Sequence, residues 1–203
     1  MAAQTDVVIV DTGCANLASV GFAFDRLGAS YQISRDADVI YSAPRVLIPG
    51  VGAAPYAMNI LREAQLVPVL QNLTQPVMGI CLGMQLIFDL SVEGGRDVAC
   101  LGMVDGAIEA LNTADLPSPH MGWNQLGDLA DDPLLVGISA GDYAYFVHSY
   151  AAPVSTYTLA TSEYGQKFSA IVRQGNVYGC QFHPERSSAT GARILKNFLE
   201  LGE

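Results

Sequence analysis

Basic residues are scarce in this chain. Lysine and arginine together make up 10 of 203 residues, with lysine only at Lys167 and Lys196, against 20 Asp and Glu and a formal net charge of −10. A surface that acidic repels phosphate backbones, which sets nucleic-acid binding aside, and there is no basic run to hold an anionic membrane. Long apolar runs are missing as well. No stretch approaches the roughly 18–20 residues that span a bilayer. Cysteine occurs only at Cys14, Cys81, Cys100 and Cys180, without a CxxC pair. That is too few to staple a chain of this length, and it fits a reducing, cytoplasmic setting that leaves each thiol free. The first six residues lack the basic n-region of a signal peptide, so none is expected. No His/Cys/Asp/Glu cluster has metal-ligand spacing. Gly50-Val51-Gly52 lacks both the third glycine of a dinucleotide fingerprint and a following Walker lysine. No metal and no cofactor are therefore expected.

Half the residues are apolar and only 15% are charged, a balance that disordered chains do not have. The apolar excess suits parallel strands buried on both faces. No repeat, low-complexity tract or linker interrupts residues 1–203, which read as one domain. The first half alternates. A β-branched run, Val7-Val8-Ile9-Val10, leads through a Gly13-Cys14-Ala15-Asn16 turn to Leu17, Val20, Phe24 and Leu27 at helical spacing, closed by Gly28. Further strands are expected at 31–33, at 46–48 (stopped by Pro49-Gly50) and at 76–80, with helices over 54–70 and 82–90. The second half offers strand-like pieces at 102–111, 143–150, 156–161, 169–173 and 177–182, then a closing helix over 189–201. The expected fold class is α/β: a doubly wound, mostly parallel sheet with helices on both faces, to whose edge the second half adds antiparallel strands.

Gly79-Ile80-Cys81-Leu82-Gly83 sits where a strand turns into a helix. This is the nucleophile-elbow pattern, whose tight turn demands small flanking residues and lifts the central side chain above the sheet edge. A helix N-terminus also favours the thiolate. The plain alternative for Cys81 is a buried structural thiol. The nucleophile needs a base. His183 ends the run Val177-Tyr178-Gly179-Cys180-Gln181-Phe182, at the strand edge where Cys81 is expected, and Pro184 keeps His183 out of the helical region. In an extended chain Glu185, two residues on, shares a side with His183 and can orient the imidazole. His120 and His148 have no such orienter and stay open between structural and functional roles. An oxyanion would be met by the Leu82 N–H and by the Gly50–Val51 turn. Taken alone, that turn is no more than a Pro-Gly after a strand.

At this point the chain resembles the class I, triad-type glutamine amidotransferases. Gly79-Ile80-Cys81-Leu82-Gly83-Met84-Gln85 is similar to the family's nucleophile motif, and Gln181-Phe182-His183-Pro184-Glu185 to its His/Glu motif, in the same order. The opening Asp11–Leu17 segment, Pro49-Gly50-Val51-Gly52, Pro119-His120-Met121-Gly122-Trp123-Asn124 and Tyr145-Phe146-Val147-His148-Ser149-Tyr150 are similar to the branch that serves histidine biosynthesis. The resemblance implies that Cys81, His183 and Glu185 hydrolyse L-glutamine through a thioester, with Gly52, Gln85, Glu93, Ser149 and Tyr150 holding the substrate. It further implies a (β/α)8-barrel cyclase partner in a heterodimer, which takes the ammonia to form imidazole glycerol phosphate and an aminoimidazole carboxamide ribotide. Asn16, His120, Met121, Trp123, Asn124, Tyr143, Tyr145 and Arg186 are the expected partner contacts, the 119–124 stretch being read as a Pro/Gly-marked loop. A thiol hydrolase or peptidase on a similar sheet, a silent interaction module, and another amidotransferase branch remain the competing readings.

Overall fold

Alternation along the short β-branched runs decides which way each strand faces. In β1 (Val7–Val10), Val8 and Val10 pack on one side of the sheet and Val7 and Ile9 on the other, all four buried. A computed structural model of the chain describes residues 5–13 and 16–202. Cys14 and Ala15 of the expected turn lie outside the described residues. From β1 the chain runs through α1 (Leu17–Leu27), β2 (Tyr31–Ser34), α2 (Ala37–Ser42), β3 (Val46–Gly50), α3 (Ala54–Glu63), α4 (Val67–Gln71), β4 (Val77–Cys81) and α5 (Leu82–Leu86). There follow β5 (Phe88–Ser91), β6 (Val98–Ala99), β7 (Val104–Ala110), β8 (His120–Gln125), β9 (Tyr143–His148), β10 (Tyr150–Ala151), β11 (Thr158–Tyr164), β12 (Gln166–Gln174), β13 (Val177–Cys180) and α6 (Ser188–Glu200).

The main sheet has the order β11-β12-β13-β4-β3-β1-β2. Its five strands from β13 to β2 are parallel, while β12 and β11 add antiparallel at one edge. Val8, Val46, Ile48 and Val77 face Met58 and Leu61 of α3 and Leu70 of α4. On the opposite face Ile9, Leu47, Met78 and Ile80 meet Val20 and Phe24 of α1 and Ile194 and Phe198 of α6. Each such large side chain contributes about 1.5–3 kcal/mol on burial. α1 begins at Asn16, whose Oδ1 accepts from the Ser19 N–H at 3.3 Å, and ends at Gly28 with φ 72°. The doubly wound fold expected from the sequence is the one observed.

Several local expectations are corrected. The helix over 54–70 is two helices: Gln65 turns left-handed at φ 57°, and Pro68, with no N–H to give, sits in the first turn of α4. The helix over 82–90 stops at Leu86. Beyond it the carbonyls of Leu86, Ile87 and Phe88 are taken by the N–H groups of residues 101–104, and 88–91 becomes β5. β3 does not end before Pro49. Val46 N–H donates to Pro76 O beside β4, so by alternation the Pro49 nitrogen faces β1, whose pairing with β3 ends at Leu47. No ladder bond is lost there. The second-half strands do not all join the main sheet: β10-β7-β5-β6 and β8-β9 form two small sheets of their own. The 119–124 stretch is strand β8 rather than a loop, paired antiparallel with β9.

Candidate active site

The elbow is built by close backbone approach. Cys81 ends β4 and holds φ 54°, ψ −111°, a conformation that costs energy in any residue bearing a Cβ. It is held there because the first turn of α5 presses on β3 and β4. A Cβ on Gly83 would lie 1.8 Å from the Ile48 carbonyl oxygen, and one on Gly79 would lie 2.6 Å from the Gly83 carbonyl. The two glycines that flank the cysteine are thus dictated by contact. The Cys81 sulfur rests 3.7 Å from the Val147 carbonyl oxygen. Cys100 and Cys180 are buried elsewhere, and burial pushes both thiols up, Cys100 to about 11. Such thiols are inert packing groups.

His183 follows β13, which pairs parallel with β4, so the strand ends bring it beside Cys81. Its backbone is held on both sides. The His183 N–H donates to Tyr145 O at 2.9 Å, and the Ser187 hydroxyl donates to His183 O at 2.7 Å while accepting the Tyr145 N–H. His183 is extended, as expected before a proline, at φ −97°, ψ 97°. Glu185 reaches it by a different route from the one the sequence suggested. The chain does not stay extended; Pro184–Arg186 form a 3-10 turn that folds Glu185 back, and Glu185 Oε1 lies 2.9 Å from His183 Nδ1. Burial opposes charge on His183. Hydrogen bonds to Cys81 and Glu185, with the charges of those two groups, outweigh it and raise the pKa to about 10. The pair holds a proton on the imidazole at neutral pH, and Glu185 is buried behind it, its side chain only 4% exposed.

A cavity of about 310 Å³ opens over Cys81 and His183, lined also by Val51, Gly52, Leu82, Gln85, Glu93, Ser149 and Tyr150. That is the lower end of the roughly 300–1,000 Å³ range of small-molecule sites. It draws together seven of the residues singled out in the sequence with the nucleophile and base. Pro119, Val147 and His148 line it too and had not been assigned there. Gly50 pairs in register with Cys81 and lines a neighbouring cavity with Asn16, Val51, Glu185 and Arg186. Gln85 is only 5% exposed; its Nε2 donates to Tyr150 O at 2.9 Å and to Gln181 Oε1 at 3.1 Å. A Glu93 carboxylate oxygen accepts the Ala54 N–H, at the start of a helix that has no cap of its own.

Met121, Trp123 and Tyr143 are exposed and lie on one face of the β8–β9 pair, where Met121 stands opposite the cavity-lining Val147 and Trp123 meets Tyr145 edge-on at 5.8 Å. His120 is corrected. It is 2% exposed, because alternation along β8 turns it inward when Met121 and Trp123 turn out, so it has no surface to offer a partner. Asn124 lies on the same inward side, half-buried, bonded to His120 and to Glu163 O.

Comparison with known proteins follows the same lines. The family model described as glutamine amidotransferase class-I matches residues 8–201. The chain is 52% identical over 202 residues to imidazole glycerol phosphate synthase subunit HisH 1 of Vibrio vulnificus, across 98% of this chain and 99% of that one. To the subunit HisH of Vibrio cholerae it is 53% identical over 200 residues, across 97% and 98%. A crystal structure of a glutamine amidotransferase superposes with a TM-score of 0.73 over 95% of this chain and 97% of the other, at 19% identity, which speaks for the fold.

Proposed function

This chain belongs to the class I glutamine amidotransferase family, and from that premise we propose that it is the glutaminase subunit of an imidazole glycerol phosphate synthase in histidine biosynthesis. The observation that carries the reading is an elbow cysteine and a proton-bearing histidine lining one cavity, with a buried glutamate bonded to the far side of that histidine. Cys81 Sγ attacks the side-chain carboxamide of L-glutamine. The developing oxyanion is received by the Leu82 N–H, first in α5 and without an intrahelical partner, and by the Gly50–Val51 peptide that β3 delivers opposite Cys81. Protonated His183 gives its proton to the departing nitrogen, and ammonia leaves a glutamyl thioester. His183, then neutral, takes a proton from water, which attacks the thioester and releases glutamate. Glu185 orients the imidazole and balances its charge. Gly52, Glu93, Ser149 and Tyr150 hold the amino-acid end of the substrate, and Gln85 acts through its oxygen and through its hold on Tyr150. A peptidase reading leaves this set of cavity residues without a purpose.

Ammonia in water at neutral pH is mostly ammonium, a poor nucleophile, so a useful transfer must be sheltered by a partner over the cavity. The exposed Met121, Trp123 and Tyr143 face suits that role, since aromatic residues and Met are favoured at interface centres. Val147 on the same strand lines the cavity, and the Tyr145 carbonyl holds the His183 N–H, so a partner seated here lies one residue from the chemistry. We assign the seat to a (β/α)8-barrel cyclase in a heterodimer, with Asn16 and Arg186 at its margin, and take the whole chain to act as one domain in the cytoplasm. The test is reconstitution with the cyclase from the same organism. Glutamine-dependent formation of imidazole glycerol phosphate is expected; an assembled complex that works with ammonium salt but never with glutamine refutes it.

A further inference from the structure

His120 and His148 form a buried pair that the chemistry above leaves unused. They are 2% and 6% exposed, opposite each other on β8 and β9, with His120 Nδ1 2.9 Å from His148 Nε2. The proton on each nitrogen follows from what surrounds it. Tyr150 O can only accept, and it lies 2.9 Å from His148 Nδ1, so that nitrogen carries the hydrogen. Burial lowers both histidines to about 4, so each ring is neutral and His148 Nε2 is bare. His120 Nδ1–H must therefore donate to it. His120 Nε2, bare in turn, faces Asn124 Nδ2 at 3.3 Å. The Asn124 amide is itself fixed, because Gln125 N–H donates to its Oδ1 and its Nδ2 donates to Glu163 O, both at 2.8 Å. The donors run one way, from Asn124 through His120 and His148 to the Tyr150 carbonyl. That carbonyl also accepts from Gln85 on α5, the helix that carries the nucleophile's turn.

We propose that the His120–His148 pair is a positioning element of the glutamine site, pinning the Tyr150 carbonyl and with it the Ser149–Tyr150 wall of the cavity. The inference rests on the glutaminase reading. With two donors converging on one oxygen, the wall is clamped between Gln85 of the elbow helix and His148 of β9, itself held by His120 of β8. Losing the His120 N–H would leave the buried His148 Nε2 without a donor, and a ring held at one nitrogen only would no longer pin the carbonyl in place. Aromatic packing alone does not call for this arrangement. His120 stacks between Phe146 and Tyr164, at 5.0 and 4.1 Å, where a phenyl ring would serve equally well.

His120→Phe keeps the stack and removes the donor. The full-length chain is treated with a diazoketone analogue of L-glutamine that alkylates Cys81, and the concentration for half-maximal labelling is separated from the maximal rate. For His120→Phe we expect that concentration to rise by about tenfold, the scale of one lost buried hydrogen bond. The maximal rate should stay within about twofold, because the elbow itself is untouched. His120→Gln, which restores a side-chain N–H, should recover most of the affinity. Wild-type chain that resists the analogue refutes the glutaminase reading itself. Labelled wild type with unchanged affinity in His120→Phe overturns the positioning role, as does an equal loss of affinity and rate that His120→Gln fails to rescue. Should His120→Phe not fold, Asn124→Leu removes the donor that sets the His120 tautomer. It should weaken affinity without changing rate, and unaltered affinity there overturns the proposal.

Discussion

Gly83→Ala tests whether backbone contact at the elbow sets the chemistry. The added methyl would lie 1.8 Å from the Ile48 carbonyl oxygen and 2.8 Å from its carbon. Neither can yield alone, since Ile48 sits within β3, paired with Gly79 of β4. The first turn of α5 must therefore retreat by about 1 Å or more, and Cys81 and the Leu82 N–H move with it. A displacement of that size at reacting groups costs about 10²-fold in rate. The overpacking itself costs about 1–3 kcal/mol of stability. Gly175→Ala is the control. Unlike Gly83, Gly175 holds a left-handed φ, 60°, and nothing lies within 4 Å of its added methyl, so only backbone strain of about 1–2 kcal/mol is expected there. The assay is glutamate release by the complex, with kcat/KM compared between variants alongside Tm from circular dichroism. Gly83→Ala should lose at least about 10²-fold in kcat/KM while Gly175→Ala keeps wild-type activity at a similar Tm. A folded Gly83→Ala variant with wild-type kcat/KM would refute the reasoning.

Cys81→Ala should abolish glutamine-dependent synthesis in the complex and leave synthesis from ammonium salt at high pH intact; loss of both in an assembled complex contradicts the division of labour. His183 has a pKa of about 10 against an ordinary 6.5, so the fold favours its charged form. The stability this contributes is complete below pH 6.5 and is lost as pH rises through about 10. Glu185→Gln removes one of the two partners, so the alkaline limbs of unfolding free energy and of glutaminase rate should both move to lower pH; limbs that stay in place count against the pairing. Trp123→Ala should weaken cyclase binding by about 2 kcal/mol or more, roughly 30-fold, measured by titration calorimetry. Cys81 labelling by the glutamine analogue should be unchanged in that variant, because the indole lies on the outer face of β8.

Much of this protein was legible in the residues themselves. Strand–helix alternation fixed a doubly wound sheet, since β-branched runs and 3.6-residue periodicity are local signals that the fold obeys. Gly79, Cys81 and Gly83 announced the elbow because contact leaves no other choice of residue, and the proline after His183 made its backbone readable. Where the sequence misled, long-range hydrogen bonding had overruled local preference. Residues 88–91 became a strand because residues 101–104 claimed the carbonyls a helix would have used. The 119–124 stretch became β8 because β9 lay beside it, and pairing, invisible to any local pattern, turned His120 from the surface into the core. That Cys81 and His183 meet, that Glu185 folds back through a 3-10 turn, and that two histidines line up on the Tyr150 carbonyl were decided by strand order and register. The physical reason is that side-chain identity is written along the chain, whereas the distance between residues far apart in it is set only when the strands have paired.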